Sequence, residues 1–329
     1  MTSVTIKTIA REAGVHHSTV SRVLNNRSVP IPEATREKIR RVAEKLHYQK
    51  HRLASHLKEG LGDLAVLICE DFVRVNPNPL YLEMIAHLQA ELGRNKRYLA
   101  FHQYTDATRE MILENMDSSV YKGILLLGRG EVEGLEELAS RLPVLQLWHE
   151  RPEKKVSQML YDHEQRFRVA ASHLQEHGRK NVAVFSLDWT GTATYMKAYE
   201  KTSREFKNMN FTFEIVGDYF KRFIRPDLAD ALAPFDAVIF QGGWATRFYF
   251  DCLARGIDIP QKLSLIGLDY MAANQHMVPE LTVVGLDYAA MAKTALSFFE
   301  GKPKQTVLKI PSDLYPGKTV QGSRRERTT

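Results

Sequence analysis

From residue 62 onward, short apolar runs alternate with amphipathic helical stretches, and this alternation constrains the fold more than any other feature. Leu64-Ala65-Val66-Leu67-Ile68-Cys69 is apolar throughout, as in a buried strand. A helical stretch from Leu80 to Leu92 follows, then a strand Tyr98–His102, a helix Arg109–Met116 and a strand Gly123–Gly128. Val144–Trp148 closes this half. A second series has helix Glu164–His177, strand Val182–Ser186, helix Ala193–Asn208 and strand Phe211–Val216. After it come strand Ala237–Gln241, a helix ending at Arg255, and strand Leu263–Gly267. Parallel neighbours need a crossover, here helical, so the two series predict two lobes built on parallel sheets. Ligands of such sheets bind beyond the carboxyl ends of the strands, which puts a site in the cleft between the lobes.

The first 60 residues differ in kind. They hold 12 lysines and arginines against 5 acids, whereas the remainder holds 33 against 34. The excess positive charge sits in the first fifth of the chain, the footprint of a module for a polyanion. Ile6, Ile9, Ala10 and Ala13 form one helical stripe, with Thr5 as N-cap and Gly14 as the residue that ends the helix. A second helix is predicted from about His17 to Asn25, with Val20, Val23 and Leu24 inward. A third runs from about Pro32 to Leu46, with Thr35, Ile39, Val42, Ala43 and Leu46 on one side. Two short helices across a glycine turn, followed by a packing helix, make a helix-turn-helix whose second helix enters the major groove.

These residues resemble the headpiece of the lactose-repressor (LacI/GalR) family of bacterial transcription regulators. The likeness runs through Thr5-Ile6-Lys7-Thr8-Ile9-Ala10-Arg11-Glu12-Ala13-Gly14-Val15, Ser18-Thr19-Val20-Ser21-Arg22-Val23-Leu24-Asn25 and Thr35-Arg36-Glu37-Lys38-Ile39. One extra residue lies in the loop around Val29 and Pro30. The resemblance implies that His17, Ser18 and Arg22 reach base edges, Arg22 suiting the O6 and N7 of guanine. Thr19, Ser21 and Asn25 then hold phosphates, and Thr5 joins the DNA-contacting set. The family usually has a serine N-cap where this chain has His16, so either a cap is lost or the imidazole contacts phosphate. Residues 50–61 match a hinge that becomes helical when paired with its twin on DNA. Ala54 and Leu57 stand at the positions that enter the minor groove, where an apolar wedge kinks the duplex. Lys50-His51 replaces the family's usual Pro-Asn before that hinge.

Residues 62–320 resemble the periplasmic-binding-protein-like core of the same family. The markers are Gly178-Arg179-Lys180-Asn181-Val182-Ala183-Val184, Arg255-Gly256-Ile257-Asp258-Ile259-Pro260 and Leu263-Ser264-Leu265-Ile266-Gly267-Leu268-Asp269. The implied organisation is a helix-turn-helix DNA-binding domain (1–49), a hinge helix (50–61) and an effector-binding and dimerisation core (62–329). Its first lobe covers about 62–161 and 290–320, its second about 162–289. In the family, the position of Asp269 bonds ligand hydroxyls and that of Tyr219 packs on the ligand; Pro79 and Tyr81 lie in a pocket-lining loop. The family's clamp residues are replaced: Tyr195 stands where an arginine is usual, and Gly242-Gly243, flanked by Gln241 and Trp244, stands for an Asn-Asp pair. Aromatic area, including Trp148, takes the place of polar clamps. The implied function is a repressor whose affinity for palindromic double-stranded operator DNA, bound as a homodimer, is controlled by a small molecule, a sugar or sugar derivative. The alternative is a DNA-binding regulator with a degenerate or non-sugar pocket that needs no effector.

Other classes find little support. No GxGxxG, P-loop, H-E-x-x-H or G-x-S-x-G spacing occurs, so no enzyme, catalytic residue, cofactor or metal is expected. Cys69 and Cys252 sit in apolar stretches without ligand-like spacing and read as buried free thiols. No apolar run approaches the roughly 18 residues that span a membrane, and Met1 to Lys7 lacks the apolar core of a signal peptide. The expected location is the cytoplasm, on the nucleoid through DNA.

Overall fold

The computed structural model describes residues 6–24, 30–46, 63–69, 79–94, 97–116, 120–128, 132–149, 155–188, 192–218, 228–241, 244–269, 274, 276–301 and 306–321. Thr5, Asn25, Ala54, Leu57 and Tyr219 lie outside them, and at Pro79 only the backbone is described. The chain divides into two compact units, Met1–Leu61 and Gly62–Thr329.

Among the described residues the first unit has three helices: α1 (Ile6–Ala13), α2 (His17–Leu24) and α3 (Glu33–Lys45). Gly14 ends α1 at φ +64°, a left-handed conformation that lets Val15 N–H reach Ala10 O at 3.0 Å. Ile9, Ala13, Val20, Val23 and Ile39 make the small core, joined by Ala10 and Ala43. Pro32 precedes α3, and its carbonyl accepts from the N–H groups of Thr35 and Arg36.

The second unit holds two six-stranded sheets. Strands β1 (Asp63–Cys69), β2 (Leu99–Tyr104), β3 (Tyr121–Leu127), β4 (Val144–Leu147), β5 (Val156–Tyr161) and β11 (Val307–Ile310) form the first, ordered β11-β5-β4-β3-β1-β2. Strands β6 (Asn181–Asp188), β7 (Asn210–Asp218), β8 (Ala237–Gln241), β9 (Ser264–Leu268), β10 (Thr282–Gly285) and β12 (Asp313–Tyr315) form the second, ordered β12-β10-β9-β8-β6-β7. Every pairing is parallel except β12, which runs antiparallel to β10. Helices α4 (Pro79–Arg94), α5 (Arg109–Asn115), α6 (Leu135–Arg141) and α11 (Tyr288–Glu300) serve the first lobe. Helices α7 (His163–Glu176), α8 (Thr192–Ser203), α9 (Leu228–Leu232) and α10 (Ala245–Ala254) serve the second. Both sheets wind in the same order, and β1, β8 and β9 are buried apolar strands with helices on both faces.

The chain passes between lobes three times, after β5, β10 and β11. Asp162 caps α7 by accepting from Gln165 N–H at 3.1 Å, and Asp287 caps α11 by accepting from Ala290 N–H at 3.0 Å. At the third passage the Gln165 amide donates to Ser312 O and accepts from Ser312 N–H, both at 2.9 Å. Residues 290–320, expected as one piece of the first lobe, therefore divide. Helix α11 and β11 join the first sheet, while β12 zips onto the second because β10 offers it an open edge. Cys69 and Cys252 are buried and not disulfide-bonded, and burial pushes the Cys252 thiol up to about 12. Among the described residues no helix is long and apolar enough to cross a membrane, and no cluster of three or more His, Cys, Asp or Glu side chains is placed to hold a metal.

Candidate nucleic-acid interface and effector cleft

Helix α2 turns Val20 and Val23 into the core and leaves His17 and Arg22 exposed, with Ser18, Thr19 and Ser21 partly so. On a 3.6-residue repeat, His17, Ser18, Ser21 and Arg22 share the side opposite the two valines. His16 does not leave α2 uncapped. Its carbonyl accepts from Thr19 N–H at 2.9 Å, and its Nδ1 accepts from Ser18 N–H at 3.4 Å while pairing with Ser18 Oγ at 2.8 Å. The imidazole thus takes the place of the serine hydroxyl, through a longer bond.

In the second unit the strands end on one connected cluster. Trp148 follows β4, Tyr161 ends β5, Gln241 ends β8 and Asp269 follows β9, so all four stand at carboxyl ends of parallel strands. Tyr81 of α4 meets Trp148 edge-on at 4.6 Å and bonds His149 Nε2 through its hydroxyl at 2.7 Å. Trp148 stacks on Tyr161 at 6.4 Å, and Tyr161 donates to Asp269 Oδ1 at 3.0 Å across the lobes. His163 lies 5.7 Å from Tyr161, 5.5 Å from Tyr195 and 6.1 Å from Tyr199, whose hydroxyl donates to Gln241 Oε1 at 2.7 Å. Trp148 itself has φ +60°, a left-handed conformation that costs a bulky residue on the order of 1–3 kcal/mol and collects at functional sites.

A buried cation organises the cluster. Arg166, on α7, has 0% exposure; its Nη2 donates to Asp269 Oδ1 and Leu268 O, and its guanidinium lies 4.4 Å over the Tyr161 ring. Burial opposes the charge on Arg166, but Asp269, Tyr199 and Tyr161 outweigh it and hold the guanidinium cationic. Burial, Asp269 and Tyr288 push the Tyr161 hydroxyl well up. Burial and then Arg166 push His163 down to about 3, so its ring is neutral. Among the described residues, Arg166 Nε and Nη1, Trp148 Nε1 and His163 Nδ1 are buried without a hydrogen-bond partner.

The structure thus brings together Tyr81, Trp148, Tyr195, Gln241 and Asp269. Trp244, at the start of α10, packs instead against the apolar core beneath the second sheet. Tyr195 is 2% exposed, its hydroxyl pairing with Ser186 Oγ and donating to Thr192 Oγ1 at 3.2 Å.

Two family models match the chain: bacterial regulatory proteins of the lacI family over residues 5–51, and a periplasmic binding protein-like domain over residues 161–320. The chain belongs to the LacI family. Catabolite control protein A of Staphylococcus xylosus is 28% identical over 196 residues, a match spanning 58% of each chain. The HTH-type transcriptional regulator DegA of Bacillus subtilis (strain 168) is 24% identical over 297 residues, covering 84% of this chain and 85% of that one. The fold is that of the lac repressor dimer solved on operator with an anti-inducer. The TM-score is 0.74 at 18% identity, covering 97% of this chain and all of that one. These relatives are regulators.

Against that LacI-family background, four residues of the cleft escape a reading by motif: Tyr161, His163, Arg166 and Tyr199. One signal was available. Arg166, Ala170 and Leu174 lie on one stripe of α7 and all are buried, and a charge on an apolar stripe demands a partner.

Proposed function

We infer that this LacI-family chain acts as a DNA-binding transcriptional regulator. We propose that it binds palindromic operator DNA as a homodimer through α2 and the 50–61 hinge, and that a small molecule held between the core lobes sets its affinity. The observation that carries this reading is one chain joining the exposed polar face of α2 to a core whose parallel strands end on Trp148, Tyr161, Gln241 and Asp269. A ligand bridging the lobes can bias their angle, and only differential affinity for the two arrangements transmits to the headpieces. The expected effector is a sugar derivative. The engagement of Asp269 Oδ1 by Arg166 and Tyr161 favours a ligand other than a simple neutral sugar as a second reading of the same cleft.

The test is selection of operators from random duplexes, followed by fluorescence anisotropy with the full chain. A two-fold symmetric consensus bound by two protomers, with affinity altered by a small molecule, is expected. Monomeric binding without sequence preference would sink the DNA reading, and operator affinity indifferent to every metabolite tried would sink the effector reading.

A further inference from the structure

The effector cleft holds an unusual inventory of unused hydrogen-bonding groups. A guanidinium has five N–H donors in a fixed fork and no acceptor. Arg166 spends Nη2 on Asp269 and Leu268, while Nε and Nη1 are buried with no acceptor among the described residues. Trp148 Nε1, a donor only, is buried in the same state at the end of β4, on a residue held at φ +60°. The nearby acceptors Asp269 Oδ1 and Gln241 Oε1 are taken by Arg166, Tyr161 and Tyr199. Buried donors of this kind are rare in native interiors and call for an acceptor.

We propose that the effector carries an oxyanion, a carboxylate or a phosphate, which accepts from an unsatisfied N–H of Arg166, Nε on one edge of the guanidinium or Nη1 on the other, while Trp148 donates from its indole. The inference rests on the effector reading of the cleft and narrows its ligand. A sugar hydroxyl arriving at these donors brings a proton that itself needs an acceptor, whereas an oxyanion brings acceptors alone. Charge-assisted bonds from a guanidinium to an oxyanion are the stronger kind. The flat faces of Trp148, Tyr161 and Tyr81 suit the rest of the molecule, including the apolar face of a sugar ring. His163, neutral and beside Tyr161, can donate or accept as that body requires. The cation that other members hold on the helix after β6, where this chain has Tyr195, is supplied here from α7.

The experiment is titration calorimetry on the full chain with matched probes: glucose, glucuronate and glucose 6-phosphate; galactose, galacturonate and galactose 6-phosphate; benzyl alcohol and benzoate. Within at least one set the oxyanion member binds about 10- to 100-fold tighter than its neutral partner. Preference for the carboxylate or for the phosphate member identifies the source of the oxyanion. Arg166→Gln combined with Asp269→Asn removes both charges together and brings the ratio near one. Trp148→Phe keeps the ring, loses the donor, and lowers the ratio several-fold with the circular dichroism spectrum unchanged. Equal binding of neutral and charged members, no binding by any oxyanion probe, or a ratio that survives the double substitution would overturn the proposal. Tight binding of neutral sugars that also shifts operator affinity would sink the oxyanion and leave the effector reading standing. Oxyanion binding that leaves operator affinity untouched would do the reverse.

Discussion

Replacing Asp269 by leucine leaves the Arg166 guanidinium, 0% exposed, with only Leu268 O and the Tyr161 ring face for company. Removing one partner of a buried ion pair costs about 3–5 kcal/mol, because the other charge stays desolvated and uncompensated. Arg166→Met is milder. The orphaned carboxyl already has its proton affinity raised by burial, and it can take up a proton while keeping the Tyr161 hydroxyl, so about 1–3 kcal/mol is expected. Removing both at once exchanges a desolvated pair for apolar contacts of similar volume, which is neutral or stabilising by up to about 4 kcal/mol elsewhere. The two substitutions are therefore strongly non-additive, with a coupling at or above the upper end of the roughly 0.5–3 kcal/mol found for residues in contact. Urea unfolding followed by tryptophan fluorescence, at fixed protomer concentration so that dimerisation does not enter, measures the cycle. Additivity within about 0.5 kcal/mol would refute the buried pair, and the account of the cleft built on it would fall too.

Other substitutions test other links. His163 is pushed down to about 3 from an ordinary 6.5, so between those values the unfolded chain holds a proton that the folded chain refuses. Stability therefore rises with pH through that window, and is lost as pH drops from 6.5 toward 3, by up to about 1.4 kcal/mol per pH unit. His163→Asn removes this part of the slope, and equal slopes in urea titrations of the two proteins would contradict it. Arg22→Ala relaxes discrimination at one base pair per half-site by roughly 1–3 kcal/mol, read by anisotropy on variant operators. Uniform weakening on every sequence would instead make Arg22 a phosphate contact. A Cβ on Gly317 meets Glu280 O at 2.4 Å and the Leu281 carbonyl carbon at 2.6 Å, both backbone. Gly317→Ala therefore costs about 1–3 kcal/mol and lowers Tm by several degrees; an unchanged Tm would show that the 317–319 segment does not bind β10 as Lys318 N–H to Glu280 O at 2.7 Å indicates.

The sequence was most legible where one physical rule acts alone. The α1 stripe of Ile9, Ala10 and Ala13, and the apolar strands β1, β8 and β9, show their burial in composition, and the structure places them accordingly. Strand β5 shows no such run, because Ser157 and Gln158 sit inside it. Both are buried beside the residue that leads into β11, Ser157 Oγ accepting from Thr306 N–H at 3.2 Å and the Gln158 backbone N–H donating to Thr306 O at 2.9 Å. Partners some 150 residues apart leave no local pattern to read. Strand β12 is three residues long and lies on a sheet edge, too short for periodicity to mark. The cap of α2 was hidden differently: an imidazole can do a hydroxyl's work, but only the rotamer of His16 reveals it.

The cleft makes the same point about chemistry. Reading by family position asks whether the residue after β6 is an arginine, finds Tyr195, and concludes that the cation is gone. A cleft, however, responds to a charge at a place in space, whichever element carries it. Helix α7 follows directly on β5, so residue 166, at the end of its first turn, meets the end of β9 where Asp269 stands. Tyr195 turns inward, its hydroxyl meeting Ser186 Oγ and Thr192 Oγ1. The cleft therefore does hold a buried cation, carried on α7 by Arg166. Arg166 and Tyr161 both bond Asp269 beside the β5 passage between the lobes, so a ligand that disturbs this junction acts on a segment about which the lobes turn.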